Sequence, residues 1–218
     1  NGWAGCVVQL GMDTAARGCA VPDSGKTHWN IVFILSDDQG AWALGCNGNK
    51  EIITPHLDGL AATGVFLNNF FCTSPVCSPA RASLFTGRIP SDHGIHDWIR
   101  EGNCFPDGTS YLGALESYAD YLAQQGYVCA LSGKWHMGNS HVPHRNFSHW
   151  YAHQKGGGDY YRAPMVRDGN PVIESQYITD LITDDAINFI KQQKNSDKPF
   201  YLSVHYTAPH SPWNRVRR

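Results

Sequence analysis

The sequence predicts an α/β domain whose central sheet is mostly parallel and carries helices on both faces. Short continuous apolar runs rich in β-forming residues, as strands buried on both faces require, alternate with segments of helical period. Three of these runs are followed at once by polar residues able to bind ligands, and sheets of this class place their sites beyond the carboxyl ends of strands. No internal repeat or low-complexity tract suggests another architecture.

The elements follow in order. Residues 1–27 carry scattered Gly without periodicity and begin with Asn, so a poorly ordered leader or foreign segment is expected there, with the domain itself over residues 28–218. Residues 30–36 (NIVFILS) read as the first buried strand, closed by Asp37-Asp38-Gln39-Gly40. Residues 54–64 form a short helix, with a Thr cap, Pro55 at the first helical position, apolar Leu57, Leu60 and Ala61, and Gly64 at its end. Residues 65–70 (VFLNNF) read as a strand.

Within residues 74–88, Ser78 is expected to cap a helix with Pro79 in its first turn. Leu84 and Phe85 give that helix an apolar face, and Gly87 ends it in a left-handed cap. Residues 111–125 are expected to be helical, with Leu115, Tyr118 and Leu122 on one face and Gly126 as the stop. A buried strand over 127–131 then ends at Ser132-Gly133-Lys134-Trp135-His136. Residues 141–172 are rich in Gly, Pro, His and aromatics without a period and are expected to be a long functional loop. A helix over 178–194 puts Ile182, Ala186, Phe189 and Ile190 on one stripe, and a last strand over 199–206 hands over to residues 207–213.

The 218 residues, 42% hydrophobic and 17% charged, suffice for one good core. Seventeen basic and nineteen acidic residues give a net charge of −2, with no basic block beyond residues 215–218. No nucleic-acid surface is therefore expected, and an anionic substrate must be met by a local site. No apolar run approaches the length of a membrane span, and residues 6–10 are too short for a signal-peptide core, which leaves a cytoplasmic location as the default expectation. Seven cysteines, odd in number and irregularly spaced, do not read as a disulfide framework.

The chemistry centres on Cys77 and Arg81. Cys77 sits just ahead of a helix N-terminus, where free backbone N–H groups and the helix dipole favour an anion, and Arg81 one turn further in adds a planar fork of donors. A disulfide between Cys72 and Cys77, half of a metal site, or a merely buried Cys77 are the competing readings. The C-x5-R loop of cysteine phosphatases does not fit, because Arg81 lies four positions beyond Cys77.

Asp37 and Asp38 offer hard oxygen ligands suited to Ca²⁺ or Mg²⁺, although an Asp pair in a surface turn is the commoner case. In isolation, Lys134 and His136 read as a snorkelling lysine and a structural histidine, and His210 as a loop histidine held between Pro209 and Pro212. Trp98, Tyr160, Tyr161 and Trp213 are candidates either for a substrate cleft or for buried packing. His93, His96, Asp97 and Gly156-Gly157-Gly158 belong to no assignable motif.

Read together, CSPAR and the following ASLFTGR resemble the C-x-P-x-R…L-T-G-R signature of type I sulfatases. The Asp pair after the first strand, GKWHMG and HYTAPHSPW follow in that family's order, so the resemblance runs over residues 30–213. It implies an alkaline phosphatase-like fold in which a maturation enzyme oxidises Cys77 to formylglycine, whose hydrate is the nucleophile. It further implies that Asp37, Asp38 and residue 77 bind Ca²⁺, in preference to Mg²⁺. Arg81 and Lys134 would stabilise the sulfuryl oxygens, His210 or Lys134 would protonate the leaving alcohol, and His136 would assist release of sulfate. The substrate class so implied is a sulfated small molecule or glycan. A phosphonate or phosphate monoester hydrolase would use the same residues. Family members are commonly longer, and a later strand supplies an Asp-Asn pair and a further Lys that are not found here. The resemblance therefore implies the N-terminal part of a catalytic domain with its C-terminal part missing, and an inactive chain binding only a cation or oxyanion is the remaining alternative.

Overall fold

The computed structural model describes residues 28–100 and 105–213, so the expectation for residues 1–27 lies outside the described residues. The strands are β1 (Ile31–Leu35), β2 (Val128–Lys134), β3 (Phe147–His153), β4 (Ala163–Arg167), β5 (Asn170–Glu174) and β6 (Phe200–His205). The helices are α1 (Pro55–Thr63), α2 (Cys77–Thr86), α3 (Pro90–His93), α4 (Tyr118–Gln124) and α5 (Ile178–Gln193). One sheet has the order β1-β6-β2-β3-β4-β5. Its first four strands run parallel, and β4 and β5 extend it as an antiparallel hairpin.

Side chains leave a strand alternately to its two faces. Phe33, Leu35, Cys129, Leu131 and Tyr201 accordingly pack with Ala82 and Phe85 of α2 and Ala119 of α4. Ala130, Leu202 and Val204 pack on the other face with Ile178, Ile182, Ala186 and Phe189 of α5. Helices on both faces of a mostly parallel sheet are the architecture the sequence predicts.

Four local expectations are corrected. The long loop expected over 141–172 contains β3, β4 and most of β5. Its polar side chains conceal the strands because their partners are supplied by tertiary contacts. Trp150 Nε1–H donates to Ser140 O at 2.8 Å, Tyr151 O–H donates to Glu174 at 2.9 Å, and His149 pairs with Asp185 at 2.8 Å. Residues 65–70 form no strand: Val65 and Leu67 are exposed, and among the described residues no strand pairs with them.

The helix expected over 111–125 shrinks to α4, because the N-terminal signal lies at Ser117. Ser117 Oγ accepts from Asp120 N at 3.3 Å and Asp120 Oδ2 accepts from Ser117 N at 2.8 Å, a reciprocal capping box. Finally, α2 starts earlier than expected, with Val76 in the cap position and Cys77 as the first helical residue. Ser78 Oγ is occupied elsewhere, accepting from Ile99 N at 3.0 Å. Gly87 does close α2 in the left-handed region at φ 70°.

Candidate active site

The residues singled out from the sequence converge beyond the carboxyl ends of β1, β2 and β6. Asp37 lies two residues past β1, Lys134 is the last residue of β2, and His210 follows β6 by five positions. Cys77 opens α2 and Arg81 stands one turn into it. Asp37 N donates to Ala208 O at 3.0 Å, which ties the exit of β1 to the loop carrying His210.

Asp37 is the electrostatic centre. It is buried, its Oδ2 is ion-paired with the wholly buried Lys134 ammonium, and Arg81 Nη2 stands 3.7 Å away. Arg81 Nη1 also donates to Lys134 O at 3.0 Å. Burial pushes the Asp37 carboxyl up, but the charges of Arg81 and Lys134 outweigh it and hold the group below the usual carboxylate range. Removing one cation would leave Asp37 paired with the other, and removing both would leave a buried, uncompensated charge.

Cys77 Sγ, a carboxylate oxygen of Asp37 and a ring nitrogen of His210 all lie within 4.8 Å of one another. Burial raises the Cys77 thiol, yet its hydrogen bond with His210 and the charge of Lys134 bring the net shift below the ordinary thiol value. His210 is pushed up to about 9, first by that bond to Cys77 and against its own burial. His210 Nδ1–H donates to Ser211 O at 2.6 Å, which turns Nε2 toward the site, and Tyr160 O–H donates to His210 O at 2.7 Å.

His136 Nε2–H donates to Ile99 O at 2.9 Å, while its buried Nδ1 has no hydrogen-bond partner. Burial lowers this imidazole to about 3, so it is neutral near pH 7. Asp38 and His136 have positive φ, 61° and 55°, which is uncommon for residues other than Gly. Asp38 points outward with its side chain 58% exposed, and its Oδ2 lies 3.6 Å from His210 Nε2. It therefore stands beside the Asp37–Cys77–His210 trio rather than in it.

Two parts of the site are missed by sequence reasoning. His205, the last residue of β6, is buried beneath Arg81, with its Nδ1 3.1 Å from Lys134 O and 3.3 Å from Arg81 Nη1. Its position at the end of a buried strand, like that of Lys134, was the available signal. The glycine run after β3 is the other part. A Cβ on Gly156 would come within 2.1 Å of the His136 ring, and one on Gly157 within 3.4 Å of His210. The backbone of this loop thus lies against both imidazoles, and its signal was three consecutive glycines in a region otherwise read as a loop.

The remaining candidates divide. Tyr160 is buried and stacks on Tyr177 at 5.6 Å, whereas Trp98 and Trp213 are exposed. His93 is buried and bonded to Ser83 Oγ at 3.0 Å, a packing role, and His96 and Asp97 are exposed. Cys72 and Cys77 are both free thiols, which removes the disulfide reading. Among the described residues no helix is long and apolar enough to cross a membrane.

The sulfatase family model matches residues 29–217. The chain is 33% identical to an N-acetylglucosamine-6-O-sulfatase of Bacteroides thetaiotaomicron over 198 residues, covering 89% of the chain and 33% of that protein. It is 28% identical to the N-acetylgalactosamine-6-sulfatase of Canis lupus familiaris, covering 97% of the chain and 44% of that protein. Among solved structures, one described as a complex with its substrate D-glucosamine-2-N,6-O-disulfate superposes with a TM-score of 0.72 at 33% identity, over 84% of this chain and 35% of that one. Ps i-CgsB in complex with k-i-k-neocarrahexaose gives 0.73 at 33% identity, over 84% of this chain and 46% of that one. The chain thus spans less than half the length of these relatives. With the match running through the whole described fold and all the converging motifs, the chain belongs to the sulfatase family.

Proposed function

We propose that this chain supplies the nucleophile and oxyanion-binding part of an enzyme that hydrolyses sulfate esters of carbohydrates, with Cys77 converted to formylglycine by a maturation enzyme. The observation that carries this reading is the convergence of Asp37, Cys77, Arg81, Lys134 and His210 at one end of the sheet in a member of the sulfatase family. The carbohydrate preference rests on the relatives, which are named for sulfated N-acetylhexosamines or were solved with sulfated saccharides.

Conversion of Cys77 would supply a geminal diol at the N-terminus of α2, one hydroxyl to attack sulfur and the other to expel sulfate. The buried Asp37 carboxylate fits as a ligand for Ca²⁺, a hard ion that takes oxygen donors, and conversion puts oxygen in place of sulfur at position 77. Asp38 is the further carboxylate this chain brings to such an ion. Bound there, Ca²⁺ would supply positive charge for the sulfuryl oxygens.

Arg81 and Lys134 offer donors to those oxygens from fixed, buried positions. His210, with a ring nitrogen within 4.8 Å of Cys77 Sγ, is placed to hand a proton to the leaving alcohol oxygen. His136, neutral and with a free buried Nδ1, is placed to accept a proton as sulfate leaves.

The test is expression with a maturation enzyme, intact mass of the peptide containing Cys77, and parallel assays of sulfate and phosphate esters in Ca²⁺ on the complete gene product. Conversion at Cys77 and release of sulfate in excess of phosphate are expected, with Arg81→Ala lowering kcat by about 10²–10³. A peptide that stays wholly thiol while a known sulfatase is converted overturns the proposal.

A further inference from the structure

We propose that, as long as Cys77 remains a thiol, Cys77, His210 and Asp37 form a binding site for a borderline-soft divalent cation of the Zn²⁺ type, and that Lys134 is its built-in competitor. This deepens the proposed function in one respect: conversion of Cys77 would abolish the site by removing its sulfur.

The donor set is one thiolate sulfur, one imidazole nitrogen and one carboxylate oxygen, mutually within 4.8 Å. Zn²⁺ binds these three donor types at about 2.0–2.3 Å, so tetrahedral ligands stand roughly 3.3–3.8 Å apart. Binding therefore draws the three donors together from separations of up to 4.8 Å. Among the described residues no other group of His, Cys, Asp and Glu is arranged this way.

A second observation points to the same ligand chemistry. A metal-binding histidine characteristically donates its other ring N–H to a carbonyl or carboxylate, which fixes its tautomer and aim. His210 Nδ1–H already does so, to Ser211 O at 2.6 Å, and Tyr160 O–H braces the His210 carbonyl at 2.7 Å. Asp38 Oδ2, 3.6 Å from His210 Nε2, adds negative charge beside the trio. Sulfur and imidazole are poor donors for Ca²⁺, so the thiol and converted forms differ in the metal they prefer.

On coordination the metal takes the place of the Cys77 thiol proton, which passes to solvent. It must also compete for the buried Asp37 carboxylate with the Lys134 ammonium, and Arg81 Nη2 stands 3.7 Å from the same oxygen. Occupancy shields the sulfur, so the folded thiol form is withdrawn from oxidation and from further modification while the metal stays bound.

The probe is Co²⁺, titrated anaerobically into the full 218-residue chain made without maturation activity and followed by its sulfur-to-cobalt charge-transfer band, with Zn²⁺ as competitor. We expect one saturable band that Zn²⁺ abolishes. Cys77→Ser should lose it, and His210→Ala should weaken Co²⁺ binding by about tenfold or more. Lys134→Met should tighten binding, a change opposite to that of a variant that merely loosens the fold. Iodoacetamide labelling of the peptide containing Cys77, read by mass, should slow in Zn²⁺ for wild type. No band in the wild type, a band that persists in folded Cys77→Ser through any of the other six cysteines, or labelling unaffected by Zn²⁺ overturns the site. The thiol form is tested without turnover, so a failed sulfatase assay leaves this result standing, and a failed metal titration leaves the hydrolase reading standing.

Discussion

Glycine 156 shows how closely the backbone approaches the candidate site. Its missing side chain is what lets the backbone at residue 156 run against the His136 ring, since a Cβ there would sit 2.1 Å from Cε1 of the imidazole. The ring has little room to retreat because Nε2–H is held by Ile99 O. Gly156→Ala is expected to cost about 1–3 kcal/mol, the range for overpacking a filled site, measured by urea unfolding. Gly157→Ala meets His210 only at 3.4 Å and should stay within about 1 kcal/mol of wild type. Equal effects for the two substitutions would show that the loop yields and does not fix His136. The same contrast explains what the sequence reveals at this scale. Cys77 and Arg81 are singled out by their spacing at a helix N-terminus, and Lys134 and His136 only by the resemblance of GKWHMG to a family motif. Gly156 and His205 matter through the approach of elements remote in sequence, which local spacing does not encode.

Helix α4 illustrates how an element is set by its ends. Asp120 is buried, completes the capping box with Ser117, and accepts from Arg145 Nε at 2.9 Å and Asn146 Nδ2 at 2.7 Å. Burial pushes its carboxyl up, but Arg145, Ser117 and Asn146 together hold it well below the usual carboxylate value. A group with a lowered folded pKa contributes stability that is present above its unfolded value, about 3.9, and lost as pH falls through the folded one. Asp120→Ala is expected to cost about 0.5–2 kcal/mol at pH 7 from the cap alone. The gap between wild type and Asp120→Asn in urea midpoint should shrink as pH drops below about 4. A gap that is constant between pH 7 and pH 3 would place the contribution of Asp120 elsewhere. Helix ends of this kind are written locally, and S-x-x-D marks the start of α4 better than the apolar spacing over 111–125 does. The β4–β5 turn is equally local, since Asp168 and Gly169 have positive φ, 48° and 84°, as a two-residue hairpin turn requires. By contrast β3 is not legible, because its His, Ser and Trp residues become compatible with a buried strand only through partners on α5, β5 and the 138–141 turn.

At the scale of the whole molecule, the sheet has two very different edges. β5 is short, carries Pro171 and ends in Glu174, features that blunt pairing with another chain. β1 pairs only with β6 among the described residues, and its sequence, IVFIL, contains no charge, proline or bulge. Ile34, the fourth of its five residues, is 44% exposed, and Val65, Leu67 and Phe71 are exposed apolar residues elsewhere. An uncharged, flat edge strand offers unpaired N–H and C=O groups to a like strand, and hydrophobic contact then holds the pair. The 218-residue chain by itself is therefore expected to self-associate at micromolar concentration, the range in which exposed edges aggregate. Sedimentation velocity across a concentration series measures this directly. Ile34→Lys places a charge on that edge and should move the population toward monomer while leaving the far-ultraviolet dichroism unchanged, because position 34 is already solvent-facing. Gatekeeping at β5 makes the complementary expectation equally sharp: a second charge there, at Ile173, should not change the association. A wild-type chain that sediments as a monomer throughout would mean that the β1 edge is covered within this chain, and the account of the open edge would have to be withdrawn.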